Sequence, residues 1–121
     1  MPKNVNPMVP YWNARLARFV KPTKKCGDVP EEMVTMYGNG DGHLGKPVSC
    51  GGVLDTKRPT VAHKTAKCGT KVIFVNPRNG KSIQATVTDR GPYTIATWDI
   101  GPAVYKALNV DRSTYLCVAG I

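Results

Sequence analysis

Glycine and proline divide this chain into short segments, and their frequency limits the folds that it can adopt. Its 121 residues include 12 Gly and 10 Pro but only five Leu. Frequent turn residues leave little room for long helices and are typical of many short strands. A chain of this length buries a single hydrophobic core. The sequence therefore predicts one mainly β domain.

Short β-prone runs lie between these turns. The most regular is a hairpin with strands at 71–76 and 82–88 and a turn at 77–80, because its second strand alternates polar and apolar residues. Two more strands are predicted at 33–37 and 113–118, and a short helix that begins at a proline is predicted at 102–108.

Positive charge is concentrated near the N-terminal end. Residues 1–27 hold six of the 17 Lys and Arg and no acidic residue, so eleven basic residues accompany the eight acidic ones in the remainder. Most of the net charge of +9 therefore lies in residues 1–27, within a basic arm that is assigned to 1–32 and precedes a domain at 33–121. Such an arm favours an anionic partner, or a neighbouring protein subunit bound through residues 1–25; the alternative is a solvated tail.

The arm carries an apolar pattern of its own. Trp12, Leu16 and Phe19 recur at helical spacing between Pro10 and Pro22. This pattern predicts a short amphipathic helix. Because about three turns are marginal alone, we expect the helix to dock on its own domain or on a partner.

Cysteines and the absence of an export signal give conflicting indications of location. Cys26, Cys50, Cys68 and Cys117 form an even set in a small Gly/Pro-rich domain, which favours disulfides and an oxidising destination; buried thiols are the alternative. The first 25 residues contain no apolar run typical of a secretory signal, and no stretch is long enough to span a membrane. The sequence thus predicts an extracytoplasmic or virion-associated protein that leaves the cell by lysis, by injection or in a virus particle.

Two polar motifs stand at the ends of β-prone runs. His63 lies in Val-Ala-His-Lys-Thr at 61–65, and Asp89 lies in Thr-Asp-Arg-Gly-Pro-Tyr at 88–93. A titratable imidazole and a carboxylate beside residues that force tight loops are a common way for a small β fold to present chemistry in a groove. This pair therefore marks the candidate site.

Ordered pieces of the sequence also match one family. The match runs from about Val34 to the C-terminus, roughly 70% of the chain, and its pieces lie at 37–38, 45–47, 60–65, 69–72, 79–82, 88–93 and 98–103. In these pieces the chain resembles the RlpA-like double-psi β-barrel family, which is related to expansins, family-45 endoglucanases and MltA-type lytic transglycosylases. The resemblance implies a six-stranded double-psi β-barrel with one or two short helices, preceded here by the basic N-terminal arm.

The same resemblance implies a glycan-binding groove with Asp89 and His63 as the catalytic candidates. A carboxylic acid in a partly desolvated groove can hold, near neutral pH, the proton that a leaving glycosidic oxygen needs. Asp99 is the rival acid, because the expansin and endoglucanase branches use the Asp of the equivalent piece. Two facing carboxylates would suit a hydrolase, and their separation would decide its stereochemistry. His63 would orient the acid or bind the sugar.

Each candidate also has a structural alternative. Asp99 precedes the predicted helix and would serve as its N-cap. Asp89 would stabilise the turn that follows it. His63 would be a packed or hydrogen-bonded residue at the end of a strand.

Further candidates bind substrate or join loops. Aromatic rings stack on sugar faces, although an aromatic residue near a loop is as often part of a core or a rim. In the expansin branch a Cys before Gly in the first loop pairs with a Cys before Gly at the next strand, so the resemblance favours Cys50–Cys68 and leaves Cys26 with Cys117. The substrate-binding candidates are Tyr37, Arg90, Tyr93 and Trp98.

Three functions are compatible with this interpretation. The first is a lytic transglycosylase that cleaves peptidoglycan, carried as a phage virion component; the second is an expansin-like module that binds a glycan without turnover. The third is a structural subunit of a virus particle or injection device. No cofactor is predicted, and nucleic-acid binding and metal catalysis are disfavoured because basic residues do not alternate with aromatic ones and the only imidazoles are His43 and His63.

Overall fold

Six strands of this chain close into a barrel. The computed structural model describes residues 11–13, 18–20, 26–27 and 29–120. The barrel strands follow the order β3-β7-β4-β6-β5-β8, and β8 pairs with β3 to complete the ring. The elements are β1 Tyr11–Asn13, β2 Arg18–Val20, β3 Glu31–Met36, β4 Thr60–His63, β5 Lys71–Val75, β6 Ser82–Asp89, β7 Trp98–Ile100, α1 Pro102–Leu108 and β8 Thr114–Gly120.

Parallel and antiparallel pairs alternate around part of this ring. β3 runs parallel to β7 and β4 runs parallel to β6, whereas β4–β7, β5–β6, β5–β8 and β3–β8 are antiparallel. The predicted mainly β fold with a six-stranded barrel is confirmed, and α1 is the one helix among the described residues. No described helix is long and apolar enough to cross a membrane.

The core of the barrel follows from the alternation of side chains along the strands. Val72 and Phe74 on β5, and Ala85 and Val87 on β6, are buried, whereas the residues between them are more exposed. Burying a Val, Leu, Ile or Phe side chain contributes about 1.5–3 kcal/mol. The other large side chains of this core that are fully buried are Val34, Val61, Trp98, Ile100, Val104, Leu108, Leu116 and Val118.

The predicted hairpin and helix are confirmed. β5 and β6 pair from Lys71 with Thr86 to Val75 with Ser82, and the connecting turn places Gly80 at φ +78°. An L side chain rarely adopts that conformation. α1 begins with Pro102 and ends at Leu108, and the left-handed conformation of the C-cap Asn109 stops the helix.

The described part of the N-terminal arm differs from the predicted helix. Its described residues form a two-stranded antiparallel hairpin in which Trp12 is opposite Phe19, so the predicted amphipathic helix is wrong over β1 and β2. Aromatic and β-branched residue types predominate in these strands and favour extended backbone, whereas a helix of three turns is marginal. The rest of the predicted helix lies outside the described residues.

Two disulfides join distant parts of the chain. Cys26 bonds to Cys117 on β8, and Cys50 bonds to Cys68, which confirms both predicted pairs. Cys26 also packs with Val29 in a small apolar cluster at β8. The first disulfide thus anchors the residues before β3 to the barrel, and the second joins two loops on the barrel surface.

Candidate active site

A groove of about 330 Å³ opens on the outside of the barrel. Its lining comes from the ends of β3 and β6, from residue 99 at the centre of β7, from residue 62 of β4, and from the loops that follow β3 and β6. Alternation directs Val61, Trp98 and Ile100 into the core and leaves Ala62 and Asp99 on the opposite face of the sheet. The groove therefore lies on the outer face of β4 and β7.

Strand register places two of the predicted carboxylates on either side of Ala62. Asp99 on β7 is the partner of Ala62 on one side, and Asp89 on β6 is its partner on the other, after a bulge at Val61. Neighbouring strands lie about 4.8 Å apart. Because β4 lies between β6 and β7, the backbones of the two aspartates are about 10 Å apart. Ala62 itself is buried against Tyr37 and Leu54, and both carboxylates line the groove beside it.

Asp99 lies in surroundings that favour its protonated form. Burial raises the pKa of its carboxyl group to about 6; a hydrogen bond from Thr35 opposes this shift, and the charges of Asp41 and Asp89 add to it. The hydroxyl of Thr35 donates to Oδ1 at 3.0 Å. The N-cap alternative for Asp99 is wrong, because Gly101 is the N-cap and α1 has no side-chain cap. A carboxyl group with this pKa can act as an acid near neutral pH.

Asp89 is held by hydrogen-bond donors. Its Oδ1 accepts hydrogen bonds from the backbone N–H of Ser49 at 2.9 Å, from the Ser49 hydroxyl at 2.8 Å and from the N–H of Arg90 at 2.9 Å. The Arg90 bond stabilises the start of the turn, as the structural alternative predicted, but the two Ser49 bonds come from a loop far away in sequence. Asp89 is thus fixed at the groove by contacts beyond its own turn.

Tyr37, also predicted, lies deep at the groove. It is only 5% exposed, and its hydroxyl makes no hydrogen bond with the described residues. Burial, followed by the negative charges of Asp89, Asp99 and Asp41, raises the pKa of this hydroxyl well above its usual value. Tyr37 therefore presents a neutral hydroxyl amid three carboxylates.

Asp41, His43 and Thr35 also line the groove but were not predicted as site residues from the sequence. The loop after β3 brings Asp41 and His43 to the groove, and the His43 ring meets Tyr37 edge-on at 5.9 Å. Slight desolvation of the exposed Asp41 raises the pKa of its carboxyl group, but hydrogen bonds from the N–H groups of His43 and Gly38 outweigh this effect and lower that pKa. One feature of the sequence could have identified Asp41 and His43, because both lie in a short glycine-rich loop directly after Tyr37.

His63 is buried beside the groove and does not line it. Its side chain is 3% exposed, its ring packs on Trp98 at 4.5 Å, and its Nδ1 accepts hydrogen bonds from the N–H groups of Thr65 and Ala66. This packed and hydrogen-bonded position at the end of β4 is the one that the structural alternative for His63 describes. These bonds fix the turn after β4.

Arg90 and Lys64 join that turn to the loop after β6. Nη1 of Arg90 donates to the carbonyl groups of His63 and Ala66, and Nζ of Lys64 donates to those of Thr94 and Ala96. Arg90 also lines the groove, but its guanidinium group is engaged with backbone. Both motifs around His63 and Asp89 thus include residues that hold the groove in shape.

The two remaining aromatic candidates lie in different places. Tyr93 lines the groove and is 83% exposed, so its ring is free to meet a ligand. Trp98 is fully buried, and its Nε1 donates to Glu32 at 2.9 Å. Its predicted role in stacking on a sugar is therefore wrong, because β7 directs this residue into the core. No group of three His, Cys, Asp or Glu among the described residues is placed to hold a metal ion.

Sequence comparison finds relatives that are similar to part of this chain. It is 39% identical over 62 residues to a probable endolytic peptidoglycan transglycosylase RlpA of Nostoc sp., covering 51% of this chain and 17% of the relative. It is 37% identical over 83 residues to the probable RlpA of Treponema pallidum (68% and 26%), and 33% identical over 76 residues to the RlpA of Yersinia pestis (62% and 21%). No protein-family model matches the chain.

These matches cover no more than about a quarter of the length of these three relatives. The barrel has six strands in a closed ring and is accompanied, within the described part of the chain, by a single short helix. The barrel of this chain is an RlpA-like double-psi β-barrel domain.

Proposed function

We propose that the groove cleaves the glycan strands of peptidoglycan by a lytic transglycosylase reaction. The observation that carries this proposal is the register of Asp89 and Asp99 on either side of Ala62 in an open groove. The names of the relatives, which are transglycosylases that act on peptidoglycan, support the choice of substrate.

Asp99 is the acid in this proposal. Its raised pKa leaves part of the population protonated near neutral pH, and the Thr35 hydroxyl orients its carboxyl group. The Asp99 proton passes to the glycosidic oxygen, the bond from that oxygen to C1 breaks, and positive charge develops on the muramoyl ring. This assignment reverses the order of preference that the motifs gave, in which Asp89 was the first candidate.

Asp89 stabilises that positive charge. Its Oδ1 is occupied by three donors, and Oδ2 accepts no hydrogen bond from the described residues, which leaves that oxygen for the reacting sugar. The 6-hydroxyl oxygen of the same muramoyl unit then bonds to C1 and closes a 1,6-anhydro ring. Its proton goes to the Asp99 carboxylate, so the site returns to its starting state without consuming water.

One other residue would contact the sugar. The exposed ring of Tyr93 offers an apolar face to a pyranose, whereas the Tyr37 hydroxyl is buried beside the groove. His63 has a supporting role, because it fixes the turn that Arg90 joins to the groove.

Digestion of purified sacculi followed by mass spectrometry of the soluble muropeptides tests this proposal. Wild-type protein should release fragments with 1,6-anhydromuramoyl ends, and Asp89→Asn and Asp99→Asn should each lower that release by about 10²-fold or more. Asp111→Asn is the matched control, because Asp111 is an exposed carboxylate paired with Arg112 away from the groove.

Other products would identify other functions. Fragments with ordinary reducing ends would assign a hydrolase, in which water replaces the 6-hydroxyl group. Binding to sacculi without any soluble product, unaffected by Asp89→Asn, would assign an expansin-like module. The virion-associated setting and the subunit contact through residues 1–25 stay predictions of the sequence.

A further inference from the structure

Ser49 connects a surface loop to Asp89. Asp89 is the last residue of β6, and Ser49 lies 40 residues earlier in the chain. Both its backbone N–H and its hydroxyl donate to Oδ1 of Asp89, at 2.9 and 2.8 Å. Hydrogen bonds to a carboxylate are stronger than those between neutral groups. The orientation of Asp89 therefore depends on where this loop is held.

One end of this surface loop, residues 45–54, is anchored by packing. Gly45 N–H donates to the Leu54 carbonyl, and Leu54 N–H donates to the Lys46 carbonyl, which closes the segment 45–54 on itself. The Leu54 side chain is buried against Tyr37 and Ala62 beside the groove. This end of the loop is thus continuous with the groove wall.

The middle of the loop is anchored covalently. Cys50 follows Ser49 directly, forms the disulfide with Cys68 and donates its N–H to the carbonyl of Thr88 at 2.9 Å. The residue after Cys68 is itself fixed, because Gly69 N–H donates to the Val87 carbonyl. The disulfide and these bonds therefore hold Ser49 next to the end of β6.

We propose that Ser49 is a positioning residue for Asp89 and that the Cys50–Cys68 disulfide keeps Ser49 in place. The proposal rests on the proposed function, since it assigns Ser49 to the reaction only through Asp89. With Oδ1 held by Ser49 and Arg90, the other carboxylate oxygen is directed to the substrate. A loop free to move would leave the Asp89 side chain to sample several orientations.

Kinetics on soluble glycan strands test the role of the hydroxyl group. Ser49→Ala should lower kcat about tenfold and change KM less than twofold, because it removes one donor and leaves the backbone N–H. Ser49→Thr retains a hydroxyl group and should restore most of the lost rate. Wild-type kcat in Ser49→Ala, or equal losses in both variants, would overturn the role assigned to this hydroxyl.

The two disulfides provide a matched comparison. The double variant Cys50→Ser/Cys68→Ser should lose at least as much kcat as Ser49→Ala, whereas Cys26→Ser/Cys117→Ser should stay within twofold of wild type. Both are assayed at a temperature at which circular dichroism confirms the folded state. Equal loss of kcat in the two double variants would overturn the specific role of Cys50–Cys68.

A readout independent of turnover separates this proposal from the proposed function. Wild-type protein that releases no glycan product would contradict the proposed function alone. In that case hydrogen exchange decides: in Asp89→Ala the Ser49 amide should exchange at least tenfold faster than in wild type, while the Leu54 amide is unchanged. An unchanged Ser49 amide would overturn the contact on which the positioning role depends.

Discussion

At the residue scale, the two carboxyl groups of the groove have different surroundings. Asp99 is half-buried with one hydroxyl donor, and burial raises its pKa to about 6. Asp89 has three donors on one oxygen. Two carboxylates in different surroundings are a common basis for separate acid and charge-stabilising roles.

The pH dependence of the reaction should follow Asp99. An acid must be protonated to act, so activity should be highest below about pH 6 and fall tenfold per pH unit above it. We expect the initial rate at pH 8 to be about 10²-fold below that at pH 5, measured on soluble glycan strands. A rate that rises from pH 5 to pH 8 would exclude Asp99 as the acid.

The same group should affect stability in the opposite sense to a salt-bridged aspartate. Because the folded-state pKa of Asp99 lies above the usual 3.8, its stabilising contribution is complete below about pH 4 and is lost as pH rises to about 6. Asp99→Asn does not titrate, so its stability relative to wild type should rise by about 1–2 kcal/mol between pH 4 and pH 7, a figure reduced for solvent screening. Urea unfolding at both pH values measures this difference, and a difference that falls with pH would contradict the assignment.

Sequence patterns identified several site residues and misplaced others. Asp89, Asp99, Tyr37 and Tyr93 could be found because they belong to motifs or flank loops, and all four line the groove. Trp98 was wrongly predicted to face the groove, because the pairing of β7 decides which face of the sheet this residue occupies. A strand of only three residues does not reveal that pairing in the sequence. Asp41 and Thr35 became visible only when folding placed them beside Asp99.

At the element scale, short strands bring remote residues together. β4 pairs with β6 on one edge and β7 on the other, so Ala62 is the register partner of both aspartates. The hairpin β5–β6 and helix α1 were predictable, because a two-residue alternation and a proline at a helix start are local signals. The parallel pairing of β4 with β6 is non-local, and no periodicity predicts it.

The loop after β3 depends on close packing at Gly38. A Cβ atom at Gly38 would lie 2.9 Å from Cγ of Pro102, whereas one at Gly40 would meet nothing within 4 Å; both residues have positive φ, +86° and +94°. We expect Gly38→Ala to destabilise the fold by about 1–3 kcal/mol more than Gly40→Ala, because only the first adds a steric clash. Urea unfolding of the pair measures the difference, and equal losses would show that backbone conformation alone accounts for both.

At the scale of the whole molecule, the two disulfides should separate stability from activity. Closing the 91-residue separation of Cys26–Cys117 constrains the unfolded chain more than the 18-residue separation of Cys50–Cys68. Loop-closure entropy gives about 4.6 and 3.2 kcal/mol respectively. Replacing Cys26 and Cys117 by serine should therefore cost more stability, measured by urea unfolding, while the Cys50–Cys68 pair matters more to the groove; the reverse order of stabilities would contradict the entropic estimate.

The whole barrel also explains which predictions could succeed from sequence. Its class was predictable because glycine and proline interrupt every segment and the matching pieces follow one order along the chain. The arm was not, because Trp12, Leu16 and Phe19 satisfy helical spacing while β1 and β2 adopt the extended pairing that their residue types also favour. Short amphipathic segments allow both readings.

The most direct test is the yield of 1,6-anhydromuramoyl ends from purified sacculi at pH 5.5, measured by mass spectrometry for wild type and Asp99→Asn. General acid catalysis contributes about 10²–10⁴-fold. A groove in which Asp99 protonates the leaving oxygen predicts abundant anhydro ends from wild type and at least about 10²-fold fewer from Asp99→Asn. Anhydro ends at wild-type yield from Asp99→Asn, or their absence from wild-type digests, would contradict this mechanism.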